Sequence, residues 1–116
     1  MAYRSFEDLE VWKRASDLAV RIYEELRGCK DFGLKDQMTR AAVSIASNIA
    51  EGAERDTKPE YMRYLHIAKG SAAELRTQLY IAFRIQVISQ KAQIELVDEL
   101  KEISSMLHGL IRVLKK

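Results

Sequence analysis

The chain has 116 residues, 47% of them hydrophobic and 31% charged, and it contains one proline and five glycines. This length is typical of one domain, residues 1–116, with a single modest core. The low proline and glycine content argues against a turn-rich sandwich or barrel. A formal net charge of +2 is compatible with contact to RNA or DNA, but it excludes a strongly cationic nucleic-acid coat protein.

Cys29 is the only cysteine, which excludes an intrachain disulfide and a cysteine-based metal cage. Residues 1–10 carry charges and no apolar core, so they do not have the pattern of a secretory signal. No apolar run is long enough to cross a membrane. We therefore expect a cytoplasmic protein without a membrane partner.

The first half of the chain predicts two helices. Apolar residues recur at steps of three and four along residues 8–27, which is the period of one helical face. Ser5 has the position of a cap at the start of this helix, and Gly28 ends it. A second apolar stripe predicts another helix over residues 34–54.

The second half of the chain predicts two longer helices. Thr57 is a suitable cap, and Pro59 falls in the first turn of a helix predicted over residues 58–86. Ser89 precedes a fourth helix, predicted over residues 90–116. No segment alternates with a period of two, so no strand is expected. Four helices with short connections predict an all-α, antiparallel, up-down-up-down four-helix bundle.

Small residues predict a close approach of the second and third helices. Positions equally far from the turn near Asp56 lie level in a helical hairpin, so residues 40–47 face residues 68–75. Both segments are rich in small side chains. A close approach also explains Gly70 in mid-helix, where glycine costs roughly 1 kcal/mol relative to alanine.

Polar residues at helical spacing follow the same seam. They are Gln37, Arg40, Ser44, Asn48 and Glu51 on the second helix, and Ser71 and Glu74 on the third. We expect Arg40 to pair with Glu74, and Asn48 to bind a backbone group across the seam. Loss of such a buried partner costs about 1–3 kcal/mol, so Arg40→Ala is expected to destabilise the fold or the assembly by that amount. A structural network is the favoured interpretation, and a ligand-binding or catalytic cluster is the alternative.

The fourth helix predicts an additional packing partner. Its apolar positions sweep roughly 200° of the helix surface, which is wider than an ordinary core-facing stripe. The helix therefore either occupies the centre of the bundle or meets another subunit. Trp12 and three tyrosines, Tyr61, Tyr64 and Tyr80, add surface suited to an interface, so we expect a homo-oligomer.

The sequence contains no pattern typical of an enzyme. His66 and His108 stand alone on separate helices, without the Glu-x-x-His pairs of di-iron bundles. The serines of the seam have no predicted neighbouring base. We therefore predict no catalytic residue, no metal ligand and no cofactor.

Nucleic-acid binding is the function that the charges favour most. Acidic residues lie among most of the basic ones, so a solvated helix face is the simpler explanation for each patch alone. In an oligomer, however, repeated modest patches sum to a strong field. The candidate contacts are Lys13, Arg14, Arg21, Arg55, Lys58, Arg63, Lys69, Arg112, Lys115 and Lys116.

Three stretches of the sequence resemble a known family. They are FEDLEVWKRASDLAVRIYE at 6–24, FGLKDQMTRAAVSIASNIAEGAER at 32–55 and YLHIAKGSAAEL at 64–75. Together they resemble the 23S rRNA intervening-sequence protein family, also called four-helix bundle protein. More distantly, the chain is similar to the accessory proteins of diversity-generating retroelements, which are basic rings that bind nucleic acid and a reverse transcriptase.

The resemblance implies a small bacterial protein that assembles as a homopentameric ring. It places Arg40, Asn48, Glu51, Gly52, Gly70, Ser71 and Glu74 at positions of the family motif. The leading hypothesis is a non-enzymatic oligomer that binds nucleic acid, with structured RNA such as rRNA as the candidate. The alternative is a protein-interaction scaffold that partners an enzyme such as a reverse transcriptase through helix four or Trp12. The third hypothesis is an enzyme or small-ligand bundle with a pocket at Glu51 or Glu74.

Overall fold

The structure, a computed structural model, describes residues 5–116. Within that range it contains four α-helices and no strand, which confirms the predicted all-α class. The helices are α1 (Glu10–Glu25), α2 (Phe32–Ala53), α3 (Lys58–Arg84) and α4 (Gln90–Leu114), and a short 3-10 helix (Phe6–Asp8) precedes them. They form a rod-like bundle of 48 × 20 × 20 Å.

Each helix packs against two neighbours, as an up-down-up-down bundle requires. α2 and α3 form the most extensive contact, α4 lies beside α3, and α1 closes the bundle between α2 and α4. α1 and α3 are therefore diagonal to each other. The short 3-10 helix, the α2–α3 turn and the end of α4 lie at one end of the rod, which we call the α2–α3 end. None of the helices in residues 5–116 combines the length and hydropathy that a transmembrane span requires.

Two helix starts follow the predicted capping. The Thr57 hydroxyl accepts a hydrogen bond from the Glu60 amide at 3.3 Å, with Pro59 in the first turn of α3. The Ser89 hydroxyl accepts from the Ala92 amide at 3.1 Å at the start of α4. Both bonds satisfy one of the backbone donors that a helix leaves free at its start.

The other two helix starts differ from the prediction. Ser5 caps the short 3-10 helix instead of α1, which begins at Glu10 without a side-chain cap. The Asp31 carboxylate accepts from the Leu34 amide at 3.1 Å, so α2 begins at Phe32, two residues earlier than predicted. An aspartate cap in the connecting loop is sufficient to extend the helix backwards.

α3 ends in a Schellman motif in which glutamine takes the usual glycine position. Gln86 has a φ of 66°, and its amide donates to the Phe83 carbonyl at 3.0 Å. The Val87 amide donates to the Ala82 carbonyl at 2.8 Å. These two bonds satisfy the last carbonyls of the helix and turn the chain toward α4.

Alanines line the buried side of the α2–α3 seam, as predicted. Ala42, Ala68 and Ala72 are fully buried, and Ala41 is nearly so. Side chains of this size let two helix backbones approach closely. The larger core side chains come from all four helices and include Ile22, Ile45, Leu75, Leu100, Ile103 and Leu107. Each contributes on the order of 1.5–3 kcal/mol through removal of apolar surface from water.

α4 occupies a corner of the bundle and not its centre. It packs against α1 and α3, and its core-facing side is buried. Ile94 and Val113, which belong to its wide apolar arc, are 48% and 61% exposed. Part of the arc is therefore surface, and it is available for contact with another molecule.

Candidate nucleic-acid interface at the α2–α3 end

Tyr64 organises two arginines at the α2–α3 end. The Cζ atoms of Arg55 and Arg63 lie 4.8 and 4.7 Å from the centroid of the Tyr64 ring, the geometry of cation–π contacts. An Nη atom of Arg55 also donates to the Tyr64 hydroxyl at 2.6 Å. The Arg63 Nε donates to the Glu60 carboxylate at 3.3 Å, so Arg63 is held from two sides. The tyrosine thus holds two exposed arginines against one aromatic ring.

Gly52 makes room for this arrangement. A Cβ atom at position 52 would lie 2.8 Å from the Tyr64 Cβ atom and 3.0 Å from a ring carbon of Tyr61. Both distances are closer than van der Waals contact, so only glycine fits between α2 and the two tyrosines. Burial raises the pKa of the Tyr61 hydroxyl.

The topology gathers six of the ten predicted cations at this end. Arg55 lies in the α2–α3 turn, and Lys58 and Arg63 lie in the first two turns of α3. The last residues of α4 bring Arg112, Lys115 and Lys116 to the same end, and all six are exposed. Glu54, Asp56 and Glu60 lie among them, so the end is mixed in charge and the fixed arginine pair is its distinctive feature.

Arg14 and Arg21 do not form the free basic patch that the sequence predicts. Arg14 binds Glu99 of α4 with two hydrogen bonds of 2.8 and 2.5 Å. Arg21 binds Glu95 of α4 at 2.8 Å and Glu25 at 3.0 Å. These bonds to carboxylates raise the pKa of both guanidinium groups. Because glutamates already neutralise them, the two arginines hold α1 on α4, along a groove of about 370 Å³.

The two remaining cations lie away from the α2–α3 end. Lys13 is exposed on the outer side of α1, and Lys69 is partly buried near the middle of α3. Neither contacts the arginine pair.

Three members of the predicted polar seam do form a network. The hydroxyls of Ser44 and Ser71 share a hydrogen bond of 2.9 Å between α2 and α3. The Asn48 amide nitrogen donates to the Ser44 carbonyl at 2.8 Å and to the Ser44 hydroxyl at 2.9 Å. The backbone partner of Asn48 is therefore on its own helix, which corrects the expected bond across the seam.

The predicted ion pair of the seam is wrong. Arg40 is 79% exposed at its side chain and binds Asp36, one turn earlier on the same helix, at 3.0 Å. Glu74 faces solvent, as do Gln37 and Glu51. Residues four apart on a helix point in directions that differ by about 40°. Arg40 therefore points away from the α2–α3 seam, although Ser44, one turn later, lies in it.

Gly70 also differs from the prediction. A Cβ atom at this position would meet nothing within 4 Å, so close packing does not explain the glycine. Gly52 is instead the glycine at which an added Cβ atom would collide with α3, and the sequence analysis missed it. The same level-matching argument, continued toward the turn, would have placed Gly52 beside Tyr61 and Tyr64.

The chemistry available at the α2–α3 end is anion binding. Two exposed guanidinium groups at fixed separation offer paired donors to phosphate oxygens. Among residues 5–116 no group of three or more histidines, cysteines or carboxylates has the arrangement of a metal site.

The sequence matches the family model of the 23S rRNA-intervening sequence protein over residues 7–109. The chain belongs to this family. The match reaches all four helices and ends at residue 109 within α4.

A solved structure supports the same fold. It is a crystal structure of a protein with unknown function from the S23 ribosomal protein family of Bacteroides thetaiotaomicron. The two chains are 27% identical, the match covers 87% of this chain and 97% of that chain, and the TM-score is 0.82. No curated protein matches the sequence.

Proposed function

We propose that this protein is a non-enzymatic homo-oligomer that binds structured RNA through the α2–α3 end. The observation that carries the proposal is the pair of guanidinium groups held on Tyr64. A guanidinium group can donate two parallel hydrogen bonds to the oxygens of one phosphate. An arginine that is already held in place loses less side-chain entropy when it binds the RNA backbone. The cationic end of α4 adds charge at the same end of the rod.

Self-association supports this function because it repeats the same basic surface in each copy of the oligomer. One protomer has a net charge of only +2, so a single copy offers a weak field. Exposed apolar side chains on different helices, such as Val20, Ile81 and Val113, favour burial against further copies. We propose five copies, the number that the family resemblance implies, and rRNA as the ligand class, in keeping with the name of the family.

The test is binding of an rRNA fragment measured by fluorescence anisotropy over a salt series. Loss of Arg55 and Arg63 in a double alanine variant removes two phosphate contacts from each copy. We expect affinity to fall at least tenfold, with the salt slope reduced by about 2 for every copy that contacts the RNA. The matched control replaces Arg84 and Lys91, two exposed cations at the opposite end, and retains binding. Absence of wild-type binding at low salt would reject the proposal.

A second candidate function rests on the groove between α1 and α2. Phe6 and Trp12 make an edge-to-face contact of 5.3 Å at one side of this groove, and Ala46 and Ala50 line the other. A groove lined by small residues on one side and aromatic residues on the other can bind a helix of a partner protein, such as a reverse transcriptase. Stoichiometric binding of a purified enzyme without nucleic acid, abolished by Trp12→Ala, would favour this scaffold role.

A further inference from the structure

The seam between α3 and α4 has two cations on its α3 side. Ser71 shares a hydrogen bond with Ser44, so that side of α3 faces α2. Lys69 lies two residues before Ser71, which places it about 160° around the helix and therefore on the side of α4, the other neighbour of α3. Arg76 follows Lys69 by seven residues and lies on nearly the same side. Both side chains are partly buried, as expected at the edge of a helix contact.

α4 adds cations to the same seam. Glu99 accepts a hydrogen bond from Arg14, so that side of α4 faces α1. Lys101 lies two residues later, again about 160° around the helix, and is exposed on the side of α3. Lys115 repeats this position after two steps of seven, and Arg112 precedes it by three residues. The cations of the seam therefore reach the α2–α3 end, where α4 finishes.

Most carboxylates of the two helices lie away from this seam. The only acidic residue of α3 between positions 61 and 84 is Glu74, three residues after Ser71 and thus nearer the side of α2. The carboxylates of α4 form a surface that extends from the side of α1 to Lys101; they are Glu95, Asp98, Glu99 and Glu102. The seam is thus a cationic strip with an acidic margin along α4, which would repel a polyanion from that side.

Arg76 is the cation of the seam that lacks a counter-charge. Its Nε atom is buried and has no hydrogen-bond partner, and the residue forms no ion pair within residues 5–116. Attraction between charges is stronger near a low-dielectric protein interior than in open water. An anionic ligand in the seam would supply the missing charge. The sequence analysis did not include Arg76 or Lys101 among its candidates, because a seam formed by two helices is not visible in the charge spacing of one.

We propose that the α3–α4 seam binds a single-stranded segment of RNA. Its phosphates contact Lys69, Arg76 and Lys101, and the strand continues to Arg112 at the α2–α3 end. The ring of Tyr80, which is 45% exposed and lies one turn beyond Arg76, offers a surface on which a base can stack. Cations on both sides of one seam fit one backbone, and a base must be unpaired to stack on an aromatic side chain, so a single strand fits better than a duplex.

This inference rests on the RNA binding of the proposed function and names a further part of the ligand. The structured part of the RNA contacts Arg55 and Arg63, and an unpaired tail or loop runs from there along α3 and α4. The two surfaces consist of different residues, so each can be removed without the other. No contact between copies is required.

The test measures binding of an oligouridine of about ten nucleotides by fluorescence anisotropy over a salt series. Four phosphate contacts to a single strand predict a salt slope of about −3. Lys69→Glu with Lys101→Glu should lower the affinity at least tenfold, with unchanged circular dichroism. The matched control, Lys13→Glu with Lys30→Glu, makes the same change in net charge at exposed lysines away from the seam and should bind within twofold of the wild type. Equal losses in the two pairs would overturn the inference.

Milder variants keep the test independent of folding. Lys69→Gln with Lys101→Gln should reduce the salt slope by about 1.4, because two phosphate contacts are lost. Tyr80→Ala should lower the affinity about five- to tenfold, and Tyr80→Phe should retain it, since stacking requires the ring and not the hydroxyl. An unchanged salt slope, or equal losses in the two tyrosine variants, would contradict the proposed contacts.

Comparison ligands separate this inference from the proposed function. Arg55→Ala with Arg63→Ala should leave oligouridine binding within twofold of the wild type. Absence of oligouridine binding by the wild type at low salt, or equally tight binding of polyglutamate, would overturn the inference. The proposed function would still stand if the rRNA fragment required Arg55 and Arg63. An rRNA fragment that binds independently of these two arginines, but requires Lys69 and Lys101, would support the seam and reject the α2–α3 end.

Discussion

Gly52 and Tyr64 approach each other so closely that a Cβ atom on Gly52 would lie 2.8 Å from the Cβ atom of Tyr64. This contact explains one of the two motif glycines and leaves the other unexplained. The same motif segment, NIAEGAER, supplies Arg55, which lies on the Tyr64 ring. The motif therefore encodes a local structure at the end of the bundle as well as a helix face.

Gly52→Ala is expected to lower the free energy of unfolding by about 1–3 kcal/mol, because the added methyl group forces α2 away from Tyr61 and Tyr64. Gly70→Ala is the matched control. It adds the same methyl group where nothing lies within 4 Å and should raise stability by up to roughly 1 kcal/mol. Urea unfolding measures both. Equal effects of the two changes would contradict the assignment of Gly52.

Ser71→Ala is expected to destabilise the chain by about 0.5–1.5 kcal/mol, because it removes the hydrogen bond to Ser44 across the α2–α3 seam. A double-mutant cycle with Ser44→Ala measures the coupling directly. We expect a non-zero coupling energy between the two hydroxyls. Strict additivity of the two changes would show that the bond contributes nothing to stability.

Arg40→Ala is expected to change stability by less than about 0.5 kcal/mol, since its one ion pair among residues 5–116 is with Asp36 on the exposed side of α2. The sequence alone predicts a loss of about 1–3 kcal/mol, on the assumption of a buried pair with Glu74. Thermal unfolding distinguishes the two values. A large loss in the monomeric chain would restore the original interpretation.

Acidification is expected to loosen α1 from α4. The hydrogen bond from Arg21 lowers the pKa of the Glu95 carboxyl, because it favours the ionised form. A lowered pKa stabilises the folded chain above the ordinary pKa of glutamate, and that contribution is lost as the pH falls through the lowered value. The protection factors of the α1 amides, which correct the exchange rates for the intrinsic effect of pH, should therefore fall on acidification.

Glu95→Gln should remove part of this acid sensitivity. Asp98→Asn is the control, because Asp98 is exposed on the same helix and has no ion pair within the described residues. Identical pH profiles for the two variants would exclude Glu95 as a source of the effect.

Much of the fold follows from local sequence signals. Thr57 with Pro59, and Ser89, fix the starts of α3 and α4, because capping depends on residues within one turn. The close α2–α3 seam follows from the alanines that line it. The start of α2 was missed by two residues because Asp31, in a loop, was not recognised as a cap.

The candidate site was less predictable, since it depends on the rotation and packing of neighbouring helices. Charge alone did not reveal that Glu95 and Glu99 neutralise Arg21 and Arg14, because these partners are more than seventy residues apart in sequence. The arginine pair on Tyr64 required the side-chain geometry at the turn. Level matching between helices identifies neighbours, but it does not decide which way each side chain turns.

The left-handed glutamine at the end of α3 provides a way to compensate weakened variants. An L-residue with a side chain costs about 1–2 kcal/mol in this conformation, and glycine adopts it freely. Gln86→Gly should therefore raise the melting temperature, without touching the arginine pair or the polar network. Surface variants that fold poorly could be rescued in this background, so that a loss of assembly or RNA affinity can be separated from a loss of folding.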